Sequence, residues 1–122
     1  MQLTITAREK QGATTLDLMG RIVAGEECDA LRGKIRDLLA SDKKKILLGM
    51  AGVTRIDSTG IGMLVESVIY TAKEGGELKL ASLPRLIGNI LATHRLLSAF
   101  DIYTSEEEAL ESFKKQAKGP AA

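Results

Sequence analysis

The spacing of apolar residues along this 122-residue chain switches repeatedly between two periods. Every second residue is apolar near the amino terminus, in Leu3–Ala7 and again in Thr15–Met19, which is the pattern of half-buried strands. From Glu26 to Ala40 the apolar residues instead recur every three or four positions, as they do along one face of a helix. A repeated switch of this kind restricts the fold to the α/β class, in which helices connect the strands of a sheet.

The later segments continue the alternation. The apolar run within Lys45–Met50 is typical of a strand covered on both faces, and an amphipathic helix follows over Gly60–Lys73. Gly75 and Gly76 are expected to end that helix because glycine tolerates a left-handed backbone. The remaining segments, in chain order, are a strand at Leu78–Ala81, a helix with Pro84 in its first turn, a strand at Phe100–Tyr103 and a helix opened by the capping box Ser105–Glu108.

The predicted fold is therefore α/β, with a mixed sheet of four to five strands and about four helices. An opening hairpin, turned at Gln11-Gly12 and ended by Gly20, contributes the antiparallel part, and helical crossovers make the later strands parallel. We predict one domain over residues 1–117 and a flexible tail over residues 118–122.

The helical spacing also predicts which side chains are buried. In the Gly60–Lys73 helix, one face is expected to point into the core and the other to point away from it. The predicted core residues there are Ile61, Leu64, Val65, Val68 and Ala72, and the outward residues are Thr59, Met63, Glu66 and Tyr70. The predicted buried stripe of the third helix comprises Leu86, Ile87, Ile90 and Leu91.

Composition excludes several classes of function. The chain has 17 basic and 16 acidic residues, and this net charge of +1 offers no basic surplus for a nucleic-acid backbone. Cys28 is the only cysteine, so no intramolecular disulfide and no multi-cysteine metal site can form, and its place on an apolar stripe predicts a buried, inert thiol. We find no signal-peptide pattern and no apolar run near the roughly 20 residues that span a bilayer. We expect a cytoplasmic protein without membrane insertion.

The segment with the most chemical information joins the third strand to the following helix. Asp57, Ser58 and Thr59 precede Gly60 and Gly62, and a purely structural interpretation is that Asp57 or Ser58 caps the helix while the glycines permit tight packing. A cap needs only one oxygen, however, and small residues would leave the Ser58 hydroxyl open to another protein. A phosphate there would lie beside free helix amides and add a charge of about −1.5 to −2 next to Asp57.

The stretch Val53–Leu64, VTRIDSTGIGML, resembles the signature of the STAS family, whose anti-sigma factor antagonists carry Asp-Ser-Ser/Thr-Gly followed by Leu/Ile-Gly. The resemblance covers nearly the whole chain, including the opening hairpin, the Gly75-Gly76 break and Pro84. It implies that Ser58 is phosphorylated. It also implies a partner-binding surface formed by Asp57, Thr59, Gly60, Gly62, Met63 and Glu66.

The resemblance further implies a binding cycle without a cofactor or metal of the chain's own. The unphosphorylated form would bind an anti-sigma factor that is also a serine kinase, and so free a sigma factor. That kinase would use ATP to phosphorylate Ser58, and a metal-dependent serine phosphatase would reverse the change. We expect a monomer or a weak dimer, because the hairpin edge could pair with another molecule.

Two positions depart from the family pattern. Val23 stands where many antagonists have Asp, and Gly49 stands where Asn or Asp is usual. Both changes are expected to remove polar groups from the neighbourhood of Ser58.

Two other functions compete with the antagonist hypothesis. A protein of this family could instead be an accessory subunit of a lipid-transport ABC system, or a scaffold component of a stress-sensing assembly. An enzyme would need a positioned base for Ser58, and the single histidine, His94, is expected at the end of the third helix, where the helix dipole favours it. Asp57 and Glu66 have no evident metal partners, and Gly60-x-Gly62 lacks the remainder of a nucleotide motif. We therefore predict that the chain is not an enzyme.

Overall fold

A computed structural model describes residues 1–116, so the tail predicted at residues 118–122 lies outside the described residues. Nine strands and helices follow one another in the predicted order, and a short 3-10 turn at Leu97–Ala99 precedes the last strand. The elements are β1 (Leu3–Lys10), β2 (Ala13–Ile22), α1 (Glu26–Ala40), β3 (Lys45–Ile56), α2 (Ser58–Lys73), β4 (Glu77–Ala81), α3 (Arg85–Thr93), β5 (Ile102–Tyr103) and α4 (Glu106–Gln116).

The five strands form one mixed sheet in the order β1-β2-β3-β4-β5. β1 and β2 are antiparallel, whereas each later neighbouring pair is parallel, which confirms the predicted fold class. The hairpin turns at Gln11 and Gly12, which both have positive φ angles of 55° and 80°, as in the two-residue turns that match strand twist.

Both faces of the sheet are covered, but by different helices. Side chains from α1, α2 and α3 pack on one face, where the larger core includes Leu31, Leu64 and Leu91. On the other face α4 packs against Leu47 through Ala109, Leu110 and Phe113. β3 lies between the two layers, which explains its continuous apolar run. Within the described residues, no helix has the length and apolar character needed to cross a membrane.

Gly20 ends the antiparallel pairing of the hairpin, as predicted, because Leu3 and Gly20 are the last paired residues of β1 and β2. β2 continues to Ile22, and the pairing with β3 shifts register between Gly20 and Arg21. Gly20 has a φ of 116°, and a Cβ at this position would lie 2.1 Å from the Gln2 carbonyl oxygen. Its conformation therefore marks a bulge within the strand and not the end of the strand.

The buried face of α2 also differs from the prediction. Met63 is only 2% exposed and contributes to the core, so the expectation that it points outward is wrong. Ser67 and Thr71 are buried as well, whereas Ala72 is exposed. Because the polar residues Ser67 and Thr71 are buried, the buried face of α2 is turned about the helix axis relative to the face that hydropathy alone predicts. In α3, Leu86 is 58% exposed, so it does not belong to the predicted stripe.

A lysine is buried between the sheet and α4. The Lys79 side chain is 1% exposed, and its Nζ lies 3.1 Å from Asp101 Oδ2 and 2.8 Å from Ser112 Oγ. The same Nζ is 3.3 Å from the Tyr103 hydroxyl and 4.8 Å from the centre of the Phe113 ring. One ammonium group therefore connects β4, β5 and α4, and its charge is compensated by an acid and by two aromatic rings.

Candidate functional site

The candidate site lies where β2 and β3 end and α2 begins. Ile22 and Ile56, the last residues of the two strands, are paired and buried, and the Asp57 amide donates to the Ile22 carbonyl at 3.3 Å. Ser58 and Thr59 then open α2 with exposed side chains. The burial of Ile56 anchors this turn to the core, and the exposure of Ser58 leaves its hydroxyl accessible.

Asp57 is the residue that caps α2. Its Oδ1 accepts a hydrogen bond from the Gly60 amide at 2.8 Å, and its Oδ2 accepts one from the Ala24 amide at 3.0 Å. The amides of Ala24 and Gly60 lower the pKa of Asp57, because they stabilise its ionised form. One carboxylate thus ties the start of α2 to the loop between β2 and α1.

The amides at the start of α2 are only partly engaged by Asp57. The Asp57 carboxylate accepts from the Gly60 amide, and the Ile61 amide donates to the Asp57 carbonyl at 2.9 Å. Asp57 therefore holds the Gly60 amide, while the Ser58 amide has no acceptor among the described residues. A phosphate on Ser58 would lie next to the ionised Asp57 with this amide of the first turn beside it.

The two glycines of the turn have different roles. A Cβ on Gly60 would lie 2.2 Å from the Ile22 carbonyl oxygen, so this glycine permits the tight packing of α2 on β2 that the sequence predicted. A Cβ on Gly62 would meet nothing within 4 Å. The tight-packing interpretation is therefore wrong for Gly62, which lies on the exposed side of α2.

The structure brings together only some of the predicted partner-binding residues. Thr59, Gly62 and Glu66 share the exposed face of α2, and Glu66 Oε1 accepts from Arg32 Nε at 3.1 Å. Gly60 and Met63 lie on the buried face instead, so neither residue is exposed to a partner. Ile69 continues the exposed face with 53% of its surface accessible, a feature that the sequence motif did not indicate.

A cavity of about 380 Å³ adjoins Ser58 between the start of α2 and the end of α3. Its apolar lining is formed by Ile56, Ile61, Ile90 and Leu96. Its polar lining is formed by Asp57, Ser58 and His94. His94 follows α3 as its C-cap, as predicted, but its proximity to Ser58 depends on tertiary packing and has no signal in the sequence.

These polar residues do not form a catalytic triad, although a serine, a histidine and an aspartate line one cavity. A triad needs hydrogen bonds from the acid to the histidine and from the histidine to the serine, whereas in the described residues both Asp57 oxygens accept from backbone amides and no hydrogen bond links Asp57, His94 and Ser58. The described residues contain no group of three or more side chains suited to hold a metal ion. The arrangement suits recognition of the Ser58 side chain better than activation of its hydroxyl.

Gly49 is not near Ser58, which corrects the expectation for this departure from the family pattern. It pairs with Asp17 in β2 and with Ala81 in β4, about 20 Å from the end of β3 at the usual strand rise. A Cβ on Gly49 would lie 2.8 Å from Asp17 Oδ1, so the neighbouring strand places a carboxylate over this glycine. Val23, by contrast, follows β2 directly at the Ser58 end of the sheet.

We expect two substitutions of Asp57 to distinguish the loss of both acceptor oxygens from the loss of one. Asp57→Ala should lower the free energy of unfolding by about 2 kcal/mol, since both amides lose their acceptor, and Asp57→Asn by about 1 kcal/mol, since one acceptor oxygen is kept. Urea unfolding at pH 7 measures both. Because the folded-state pKa is lowered, the charge-dependent part is present above the unfolded pKa of about 3.9 and is lost as pH falls through the folded pKa. A pH-independent difference between wild type and Asp57→Asn would contradict this assignment.

Comparison with known proteins adds a family and a set of similar folds. A family model described as the STAS domain matches residues 4–109. An anti-sigma factor antagonist from Mycobacterium paratuberculosis has a TM-score of 0.78 at 18% identity, over 92% of this chain and 94% of that one.

The anti-sigma factor antagonist SpoIIAA is similar in both of its forms. Its unphosphorylated structure has a TM-score of 0.75 at 15% identity, over 92% of this chain and 97% of that one. The phosphorylated form of this Bacillus cell fate determinant has a TM-score of 0.69 at 15% identity, over 90% and 99% of the two chains. At such identities the likeness shows the fold.

Proposed function

Because the chain belongs to the STAS domain family, we propose that it is an anti-sigma factor antagonist whose partner binding is controlled by phosphorylation of Ser58. The observation that carries this proposal is the exposed position of Ser58 at the start of a helix that is otherwise firmly attached to the sheet. The hydroxyl is accessible to a kinase, whereas Asp57 and Gly60 hold the backbone around it in place.

The physical basis of the switch is a change of surface charge without refolding. In the unphosphorylated state a partner would meet the small and neutral residues Ser58, Thr59 and Gly62 on the exposed side of α2. A phosphate adds a charge of about −1.5 to −2 at pH 7, directly beside the ionised Asp57. Burying that charge without compensation costs several kcal/mol, and about 1.4 kcal/mol already changes affinity tenfold.

The proposed partners follow from this cycle. An anti-sigma factor with serine kinase activity would bind the unphosphorylated form and release a sigma factor, and it would supply the ATP for phosphorylation. A serine phosphatase would restore binding. The chain itself would act in the cytoplasm as a monomer or weak dimer, as a binding protein without catalytic activity or a cofactor.

The test compares variants of the intact chain against a partner captured from the native cytoplasm and identified by mass spectrometry. We expect Ser58→Ala to keep the dissociation constant within about threefold and to abolish phosphorylation. Phosphoserine at position 58 should weaken binding at least about a hundredfold by calorimetry, and Ser58→Asp by less because it has only one charge.

Ser41→Asp is the matched control, since it adds the same charge at an exposed serine after the last turn of α1. It should leave the dissociation constant unchanged. Equal affinity of the phosphorylated and unphosphorylated forms would contradict the switch. Capture of transporter subunits or of a large stress-sensing assembly would favour those alternatives over the antagonist.

A further inference from the structure

We propose that, when Ser58 is phosphorylated, the His94 side chain donates a hydrogen bond to its phosphate in the cavity between α2 and α3. This inference rests on the proposed function, because it names the group that holds the modified side chain. It identifies a contact within the chain that exists in only one of the two states.

The first step is that a carboxylate already lies at the start of α2, next to Ser58. Asp57 accepts from the Gly60 amide at 2.8 Å and also from the Ala24 amide at 3.0 Å. Repulsion between this carboxylate and a phosphate attached to Ser58 would favour phosphate positions away from Asp57. The cavity beside Ser58 is the space that such a group can enter.

The second step is the chemistry of the cavity lining. Among the described residues that line it, His94 is the only basic side chain, and the other lining residues are four aliphatic side chains, Asp57 and Ser58 itself. An imidazole ring has at least one N–H donor in every protonation state, and it is a cation when doubly protonated. His94 can therefore donate a hydrogen bond to a phosphate oxygen, whereas the aliphatic side chains of the cavity have no hydrogen-bond donor.

The third step is that the backbone around His94 is fixed in place. The His94 amide donates to the Ile90 carbonyl at 3.2 Å, and the Leu96 amide donates to the Leu91 carbonyl at 2.8 Å. Arg95 between them has a φ of 58°, which is the left-handed conformation of a helix C-terminus. Leu91 is fully buried, so this end of α3 is anchored to the core.

The contact would extend the effect of phosphorylation beyond added charge. A phosphate directed toward His94 lies over the apolar lining of the cavity, including Ile61 and Leu96. An apolar side chain of a partner could enter this cavity in the unphosphorylated state and would be excluded from it in the phosphorylated state. The added charge and the exclusion of that apolar side chain would both weaken partner binding.

The test uses the intact chain with phosphoserine incorporated at position 58 during translation, so that neither kinase nor partner is needed. The phosphate is titrated by ³¹P NMR in wild type and in His94→Ala. A nearby donor stabilises the dianion and lowers the phosphate pKa, so we expect His94→Ala to raise that pKa by about 0.5 unit, or about threefold in proton affinity. His94→Gln, which keeps a donor, should restore part of the difference.

Arg95→Gln is the control for a general effect of nearby positive charge, and it should shift the phosphate pKa by less than His94→Ala. A second readout is the ¹⁵N spectrum of the imidazole, which should change between the unphosphorylated and phosphorylated chains. Identical phosphate titrations in wild type and His94→Ala would overturn the inference, as would a larger effect of Arg95→Gln. Failure of the switch itself would appear separately, as an unchanged partner affinity.

Discussion

Replacing Gly60 with Ala is expected to lower the free energy of unfolding by about 3 kcal/mol, at the upper end of the usual cost of overpacking. The added Cβ would lie 2.2 Å from the Ile22 carbonyl oxygen and 3.0 Å from Ile56 Cγ1. The first contact is with backbone, which cannot rotate away, so α2 must move away from β2. That displacement also shifts Ser58, and we expect partner binding to weaken together with stability.

Gly62→Ala is the matched control because the same substitution two residues later meets open space. Alanine is the better helix former, so this variant should gain about 0.5–1 kcal/mol in the free energy of unfolding. Urea unfolding of the two variants, measured side by side, should therefore show changes of opposite sign in the free energy of unfolding. Gly60→Ala with wild-type stability would show that α2 does not approach β2 as closely as described.

Replacing Lys79 with Ala is expected to cost about 3 kcal/mol, although the substitution removes a charge from the interior. The truncation leaves a cavity between the sheet and α4, and it removes the group that contacts Ser112 and Asp101. Asp101 is 43% exposed and is therefore partly solvated, which keeps the cost of its unpaired charge below that of a fully buried acid.

Lys79→Met separates packing from charge because methionine fills most of the same volume. We expect it to cost about 1 kcal/mol, since apolar replacement of a buried ionic group is often close to neutral. Both variants are measured by urea unfolding, with α4 packing followed through the environment of Tyr103. A methionine variant as unstable as the alanine variant would show that the ionic contacts, and not the volume, hold α4 in place.

The order of the strands and helices could be predicted from the sequence because each element has its own local signal. The helix over Glu26–Ala40 was predicted with its observed bounds, since its apolar spacing is regular and Asp42 to Lys45 interrupt it. A cap at Asp57 or Ser58 was predicted for the same reason, because capping depends on residues within one turn, and the structure shows that the cap is Asp57.

Features that depend on tertiary packing could not be predicted in the same way. Met63 was assigned to the wrong face because Ser67 and Thr71, which look like surface residues, occupy the buried stripe. The end of the hairpin pairing at Gly20 was predicted, but the continuation of β2 to Ile22 was not, because a bulge and a strand end use the same residue type. His94 and Ser58 line one cavity only because of the tertiary arrangement of α2 and α3, and no spacing in the sequence encodes that arrangement.

The carboxylate that caps α2 has one more consequence, which concerns selectivity between free and attached anions. In many parallel α/β proteins this end of the sheet admits diffusible nucleotides, whose phosphates bind at a helix start. Asp57 places a negative charge at that position, and this charge opposes the approach of a dissolved phosphate compound. In the proposed switch the phosphoryl group would instead be bonded to the neighbouring Ser58 and could not diffuse away, so the signal would depend on a covalent bond and not on the concentration of a ligand.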